Sequence, residues 1–144
     1  MNFKINETAM KLRGGYYTPP DLATYIARWV AEKRPQSVLE PSCGDGVFVE
    51  AMANAMPRGK LTFTGFELFA EEAAKARQRC RDLPRFESKI WNQDFLDFAI
   101  KQILAGRMDF DCAVGSQSIE GYGETTVQIR SPRIGVHPRR ADYG

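Results

Sequence analysis

Three carboxylates, Glu40, Glu67 and Asp94, stand at or just past the ends of successive apolar runs in this chain. The first is followed by Pro41-Ser42-Cys43-Gly44-Asp45-Gly46-Val47-Phe48, a Gly-x-Gly turn that leads back into an apolar-periodic stretch. Strand, tight turn and helix in that order let a nucleoside ligand approach the backbone closely. Ligands of open α/β sheets sit outside the carboxyl ends of the strands, so the three acidic groups would share one rim. Each suits a different part of one molecule. Glu67 can accept both hydroxyls of a ribose. Asp94 can accept from an exocyclic amine, with Phe95 offering a ring edge or face. Glu40 suits a charged amino-acid moiety or its water shell. A dinucleotide would instead set its pyrophosphate at the first helix N-terminus, where Glu40 and Asp45 would repel it. The rim therefore favours a cationic sulfonium nucleoside, S-adenosylmethionine (SAM), over NAD.

The carboxylates need strands to carry them, and the pattern supplies these. Tyr16-Tyr17-Thr18-Pro19-Pro20 reads as extended, because a residue before proline is pushed out of the α region. A helix follows from Asp21, with Leu22, Tyr25, Ile26, Trp29 and Val30 at helical spacing, and Pro35 closes it. Ser37 to Glu40 reads as a short buried strand. Val47 to Met56 reads as a helix with Phe48, Ala51, Met52 and Ala55 inward, and residues 57–59 as a turn. Leu61 to Leu68 is the second expected strand. Glu71 to Arg81 is an alanine-rich helix with Glu71 and Lys75 at i, i+4. Lys89 to Trp91 is a third strand leading into Asn92-Gln93-Asp94-Phe95, then a helix through about Leu104. Phe110 to Val114 is a fourth strand. Strands alternating with helices at this spacing mean a parallel sheet with right-handed crossovers.

Length and composition set the frame. A chain of 144 residues, 43% hydrophobic and 26% charged, has room for one domain, able to bury roughly 68–70% of its unfolded surface. A net charge of +2 neither demands nor excludes a nucleic-acid partner. Cys43, Cys80 and Cys112 are odd in number and far apart. They match neither a disulfide framework nor a zinc site with the single His137, and suit a reducing, cytoplasmic setting. No apolar run approaches the roughly 20 residues that span a bilayer, so no membrane partner is expected. We expect a flexible arm over residues 1–15, a ligand-binding domain over 16–115 and a disordered tail over 116–144. In that tail arginines, glycines and prolines interleave without an apolar period.

Four segments in order carry a family resemblance: Tyr16-Tyr17-Thr18-Pro19, Leu39 to Gly46, Gly65-Phe66-Glu67 and Gln93-Asp94-Phe95-Leu96. Together, over about residues 11–115, they resemble the cofactor-binding motifs of adenine-N6 DNA methyltransferases of restriction–modification systems. The class most resembled is the one whose cofactor half precedes its catalytic motif. The resemblance implies a partial Rossmann-like class I methyltransferase fold, an α/β structure with about four parallel strands and flanking helices. It implies that Tyr17 and Thr18 close over the methionine end of SAM. Glu40, Pro41, Ser42, Cys43, Gly44, Gly46 and Phe48 would line that end, Glu67 and Leu68 the ribose side, and Asp94 with Phe95 the adenine.

The same family places Asn-Pro-Pro-aromatic directly after the fourth strand. Adenine's amine is a poor nucleophile, and acceptors for its two hydrogens raise its reactivity while an aromatic stacks on the flipped-out base. This chain reads Ser116-Gln117-Ser118-Ile119 there, so no catalytic residue carries over. DNA would be reached through a separate or missing target-recognition part. Removing one nucleotide from a codon series for Ser-Gln-Ser can give Ser-Asn-Pro, which makes a reading-frame change after Gly115 a testable origin of the tail. Two alternatives remain open: a non-catalytic cofactor- or partner-binding module, and a fragment of a protein-glutamine methyltransferase.

Plainer roles are set beside these. Tyr16 and Tyr17 could merely anchor the arm. Cys43 lacks a histidine to activate it and fits a small buried residue better than a nucleophile. Trp29 and Trp91 are expected in the core. Four strands would leave an unpaired edge, which invites self-association.

Overall fold

The structure, a computed structural model, describes residues 17–56, 60–83, 87–107, 109–119 and 122–129. The expected arm over 1–15, Tyr16, the turn at 57–59 and the end of the tail from 130, His137 included, lie outside the described residues. Helix α1 (Pro20–Glu32) is followed by β1 (Ser37–Glu40), α2 (Val47–Ala55), β2 (Thr62–Phe66) and α3 (Ala70–Arg81). Then come β3 (Glu87–Trp91), α4 (Phe95–Leu104), β4 (Cys112–Ile119) and β5 (Tyr122–Ile129).

One sheet runs in the order β3-β2-β1-β4-β5. Strands β1 to β4 are parallel, as expected; Ser37 to Glu40 pair with Thr62 to Gly65, and Val38 and Leu39 with Cys112 and Ala113. The chain steps outward from β1 to β2 and β3, then returns to place β4 on the other side of β1. A crevice therefore opens at the carboxyl end of β1, where neighbouring connections leave in opposite directions. Asp111 fixes the alignment of β1 and β4. Its Oδ2 accepts from the amides of Gln36 (2.7 Å) and Ser37 (3.1 Å), while its own N–H donates to Ser37 Oγ at 2.9 Å.

The sheet extends further than the expected four strands. β4 runs on to Ile119, and residues 122–129 pair with it antiparallel, from Cys112 opposite Ile129 to Ile119 opposite Tyr122. These residues fall in the stretch expected to be disordered. Thr125, Thr126, Val127 and Ile129 are good strand formers, and the edge of β4 offers them a complete backbone ladder.

The core lies between the sheet and helices α1 and α2, with Val38, Phe48, Val49, Met52, Phe63, Cys112 and Val114 buried at its centre. Each large side chain fully buried there contributes about 1.5–3 kcal/mol. α1 starts with Pro20 at its first position, where a missing N–H costs nothing. It turns Ala23, Ile26, Ala27 and Val30 inward. The expected apolar stripe is thus corrected: Leu22, Tyr25 and Trp29 face outward, and Trp29 is 45% exposed. The two alanines take the contact because they let α1 approach the rest of the core closely.

Trp91 is also corrected, from core to 51% exposed. It ends β3, an edge strand whose side chains alternate between exposed and half-buried. On α4 only Ala99 is buried, and Leu96, Ile100, Ile103 and Leu104 face solvent. No helix among the described residues is long and apolar enough to cross a membrane.

Candidate functional site

Glu40 ends β1 directly beside Gly65 of β2. It is 2% exposed, and its Oε2 has no hydrogen-bond partner among the described residues. The turn that follows is pinned from below. The Cys43 N–H donates to Phe66 O at 2.8 Å and the Gly46 N–H to Cys43 O at 2.9 Å. The Cys43 side chain fills the space that Gly65 leaves, since a Cβ at Gly65 would lie 3.0 Å from Sγ. Cys43 is therefore a packing residue beneath the turn, and burial pushes its thiol far above the usual range. That thiol is no nucleophile.

The two glycines of the turn have positive φ, +51° at Gly44 and +88° at Gly46. Gly46 also admits α3 at close range: a Cβ there would stand 2.9 Å from Ala76 Cα. Phe48, expected at the ligand, is 1% exposed within the core. It lies on the buried face of α2 with Val49, Ala51 and Met52. Pro41 is half-buried and Ser42 exposed, both on the rim.

Glu67 follows β2 and is 6% exposed. Its Oε2 accepts from the Gly44 N–H and its Oε1 from the Phe69 N–H, both at 2.9 Å. An ionised carboxylate has about four acceptor sites, so these two bonds leave capacity for ribose hydroxyls. Asn92 holds the same segment, donating from Nδ2 to Glu67 O (2.9 Å) and Leu68 O (2.8 Å). Leu68 itself is exposed beside it. Asp94 caps α4 by accepting from the Leu96 N–H at 2.8 Å. Phe95 meets buried Phe66 edge-to-face at a 5.4 Å centroid separation.

Tyr17 lies across the turn. A Cβ on Gly44 would be 4.0 Å from Tyr17 Cδ1, and the Tyr17 hydroxyl donates to Glu72 Oε2 at 2.6 Å. Glu72 in turn pairs with Lys75 at 2.7 Å, so the helix pair expected between Glu71 and Lys75 forms one residue later. Thr18 is buried beside Tyr17 in sequence.

The electrostatics are asymmetric. Asp45, expected to repel a phosphate, is paired with Arg79 Nη2 at 2.7 Å, and Arg79 Nη1 reaches Glu50. Glu40 has no such partner among the described residues. Burial, then the charges of Asp45 and Glu67, raise its pKa well above the ordinary carboxylate range. A buried acceptor lacking a donor, in an acidic surround, fits a ligand that brings a cationic donor. Pattern reasoning missed Asn92, Glu72 and Arg79. Their bonds cross 24 to 55 residues of sequence and leave no local signature.

The sequence profile of the family described as N-6 DNA Methylase matches residues 3–83, more than half of the chain. The chain belongs to the N-6 DNA methylase family. SAM is the cofactor of this family. Among solved structures, this N-6 DNA methylase-family chain is similar to an O-methyltransferase from Bacillus cereus in complex with SAH. That likeness has TM-score 0.55 and 13% identity, over 78% of this chain and 63% of that one. It is also similar to the O-methyltransferase TomG from Streptomyces achromogenes, involved in tomaymycin synthesis and in complex with SAM. There the TM-score is 0.50 and the identity 18%, over 80% of this chain and 53% of TomG. These likenesses give the fold alone, that of Rossmann-like class I methyltransferases. The chain spans less than two thirds of the length of either structure. No curated protein sequence matches significantly.

Proposed function

We propose that this chain binds SAM as the cofactor part of a site-specific DNA adenine-N6 methyltransferase of restriction–modification type, and that it transfers no methyl group by itself. The observation that carries the first half is the buried Oε2 of Glu40, without a hydrogen-bond partner among the described residues, at the carboxyl end of β1 next to the Gly44–Gly46 turn. Glu40 would take the ammonium of the methionine end, Glu67 the ribose hydroxyls, and Asp94 with Phe95 the adenine. Tyr17 and Thr18 would cover the methionine end. When bound, SAM supplies an electrophilic methyl group on sulfur.

What supports the second half is the course of β4. Where the family's Asn-Pro-Pro-aromatic segment would follow the strand, Ser116 to Ile119 continue it, paired with β5 from Tyr122 to Thr125. A residue held in a ladder at that point is not presented at the strand's carboxyl end, where acceptors for the adenine amine are needed. The DNA partner would then be engaged through a separate target-recognition part, in the cytoplasm.

Equilibrium dialysis with SAM, followed by a methyl-transfer assay on DNA with labelled cofactor, tests both halves. Binding without turnover is expected. Robust turnover by this purified chain alone would refute the second half. The nucleotide sequence across Gly115 adds an independent check, since a shifted frame should open on Asn-Pro and continue in an α/β pattern.

A further inference from the structure

Glu40 departs from the usual rule for buried charge. Carboxylates at this depth are paired or bonded to donors, yet one of its oxygens meets no donor among the described residues. Among the described residues, the titratable groups coupled to it add negative charge when ionised: Asp45 and Cys43 in the turn after β1, and Glu67 past the end of β2. Tyr17, above the turn, gives its hydroxyl to Glu72. Arg79 of α3 is engaged by Asp45 and Glu50. An ionised Glu40 would thus be a third carboxylate beside half-buried Asp45 and buried Glu67, with no counter-ion of its own among the described residues.

We infer that Glu40 is protonated in the empty site and gives up its proton as the cofactor's ammonium arrives, so that cofactor binding and proton release are one event. The inference rests on the SAM-binding role proposed above. The balance is simple. The Glu40 carboxylic acid loses its proton to solvent, and the resulting carboxylate accepts a hydrogen bond from the ligand's ammonium. The site gains one negative charge as it gains one positive charge. Only ligands that carry the amino-acid end can drive the exchange. SAM and S-adenosylhomocysteine share that end, so both should release the proton, whereas 5′-methylthioadenosine, which lacks it, should not. The Glu40 corner therefore selects for the amino-acid moiety rather than for the methyl-bearing sulfur.

Calorimetric titration of the full chain decides this, run in two buffers of different ionisation enthalpy at one pH where the ligand's ammonium is fully charged. For SAM and S-adenosylhomocysteine the observed heat should shift with the buffer by an amount equal to about one proton released, and affinity should rise with pH by up to about tenfold per unit. For 5′-methylthioadenosine the heat should be independent of buffer. In Glu40→Gln, checked for folding by circular dichroism, the buffer dependence should vanish and SAM affinity should fall by about tenfold or more. The wild-type proton count stands even if that variant does not fold. Binding of SAM with buffer-independent heat overturns the proton coupling while leaving the cofactor role intact. Proton release that survives in a folded Glu40→Gln assigns it to another group and also overturns the inference. No SAM binding at all overturns the cofactor role and this inference with it.

Discussion

The backbone N–H of Gly44 donates to Oε2 of Glu67 at 2.9 Å, joining the turn after β1 to the residue that follows β2. The other oxygen of Glu67 holds the Phe69 amide before α3. One side chain thus sets the spacing between two walls of the proposed site while keeping acceptor capacity for a ribose. Glu67→Ala should leave two amides without their acceptor and lower unfolding stability by about 1–3 kcal/mol. It should weaken SAM binding by about tenfold or more. Urea unfolding and dialysis measure the two effects, and unaltered affinity in a folded Glu67→Ala would remove the ribose role.

The two glycines of the turn should differ in cost. At Gly44 an added Cβ meets only ordinary contact with Tyr17, so Gly44→Ala carries backbone strain alone, about 1–2 kcal/mol. At Gly46 the same strain is joined by a collision with the backbone of Ala76, adding about 1–3 kcal/mol. Denaturant midpoints should rank wild type, Gly44→Ala and Gly46→Ala in descending stability. Equal midpoints for the two variants would contradict the close packing of α3 on the turn.

Glu40 ties stability to pH. Its folded pKa lies above its unfolded value, so the folded state binds the proton more tightly. That contribution is fully present below the unfolded pKa and is lost as pH rises through the folded one. Gln mimics the protonated acid at every pH. The melting temperature of Glu40→Gln minus that of wild type, both without cofactor, should therefore grow from about pH 5 to about pH 8. A difference that shrinks over that window would mean that Glu40 is stabilised as the carboxylate.

Tyr17 bridges the turn and α3 through its bond to Glu72. Burial and the Glu72 carboxylate raise the phenol's pKa, so it remains a donor at neutral pH. Tyr17→Phe keeps the ring over Gly44 and removes the latch. Because the pair is solvent-accessible, stability should change by less than about 1 kcal/mol. SAM should dissociate faster, and faster still from Tyr17→Ala. Stopped-flow displacement would measure both rates, and identical rates in all three proteins would leave Tyr17 as an anchor only.

Much of this arrangement was legible in the sequence because Glu40, Glu67 and Asp94 close apolar runs separated by helical spacing. Such a pattern puts carboxylates on one rim whatever the details of packing. The outward position of Trp29 has a physical reason. Periodicity defines an apolar arc from Tyr25 and Trp29 to Ile26 and Val30, but Ala23 and Ala27 continue it past Val30, and the buried face is centred on that side, which turns the aromatics outward. β5 was not legible because its stability comes from the ladder on β4, with Gly123 and Glu124 interrupting its own pattern. Glu72 and Asn92 act through hydrogen bonds to residues far away in sequence, which spacing rules do not encode.

The central claim is that the Glu40–Gly46 turn and Glu67 hold SAM. Isothermal titration of the wild-type chain, with Glu67→Ala beside it, tests that most directly. One molecule of SAM should bind each wild-type chain with a dissociation constant of micromolar order, about −8 kcal/mol, and the variant should bind at least about tenfold more weakly. No heat from a folded wild-type chain at millimolar SAM, or equal affinity in both proteins, would contradict it.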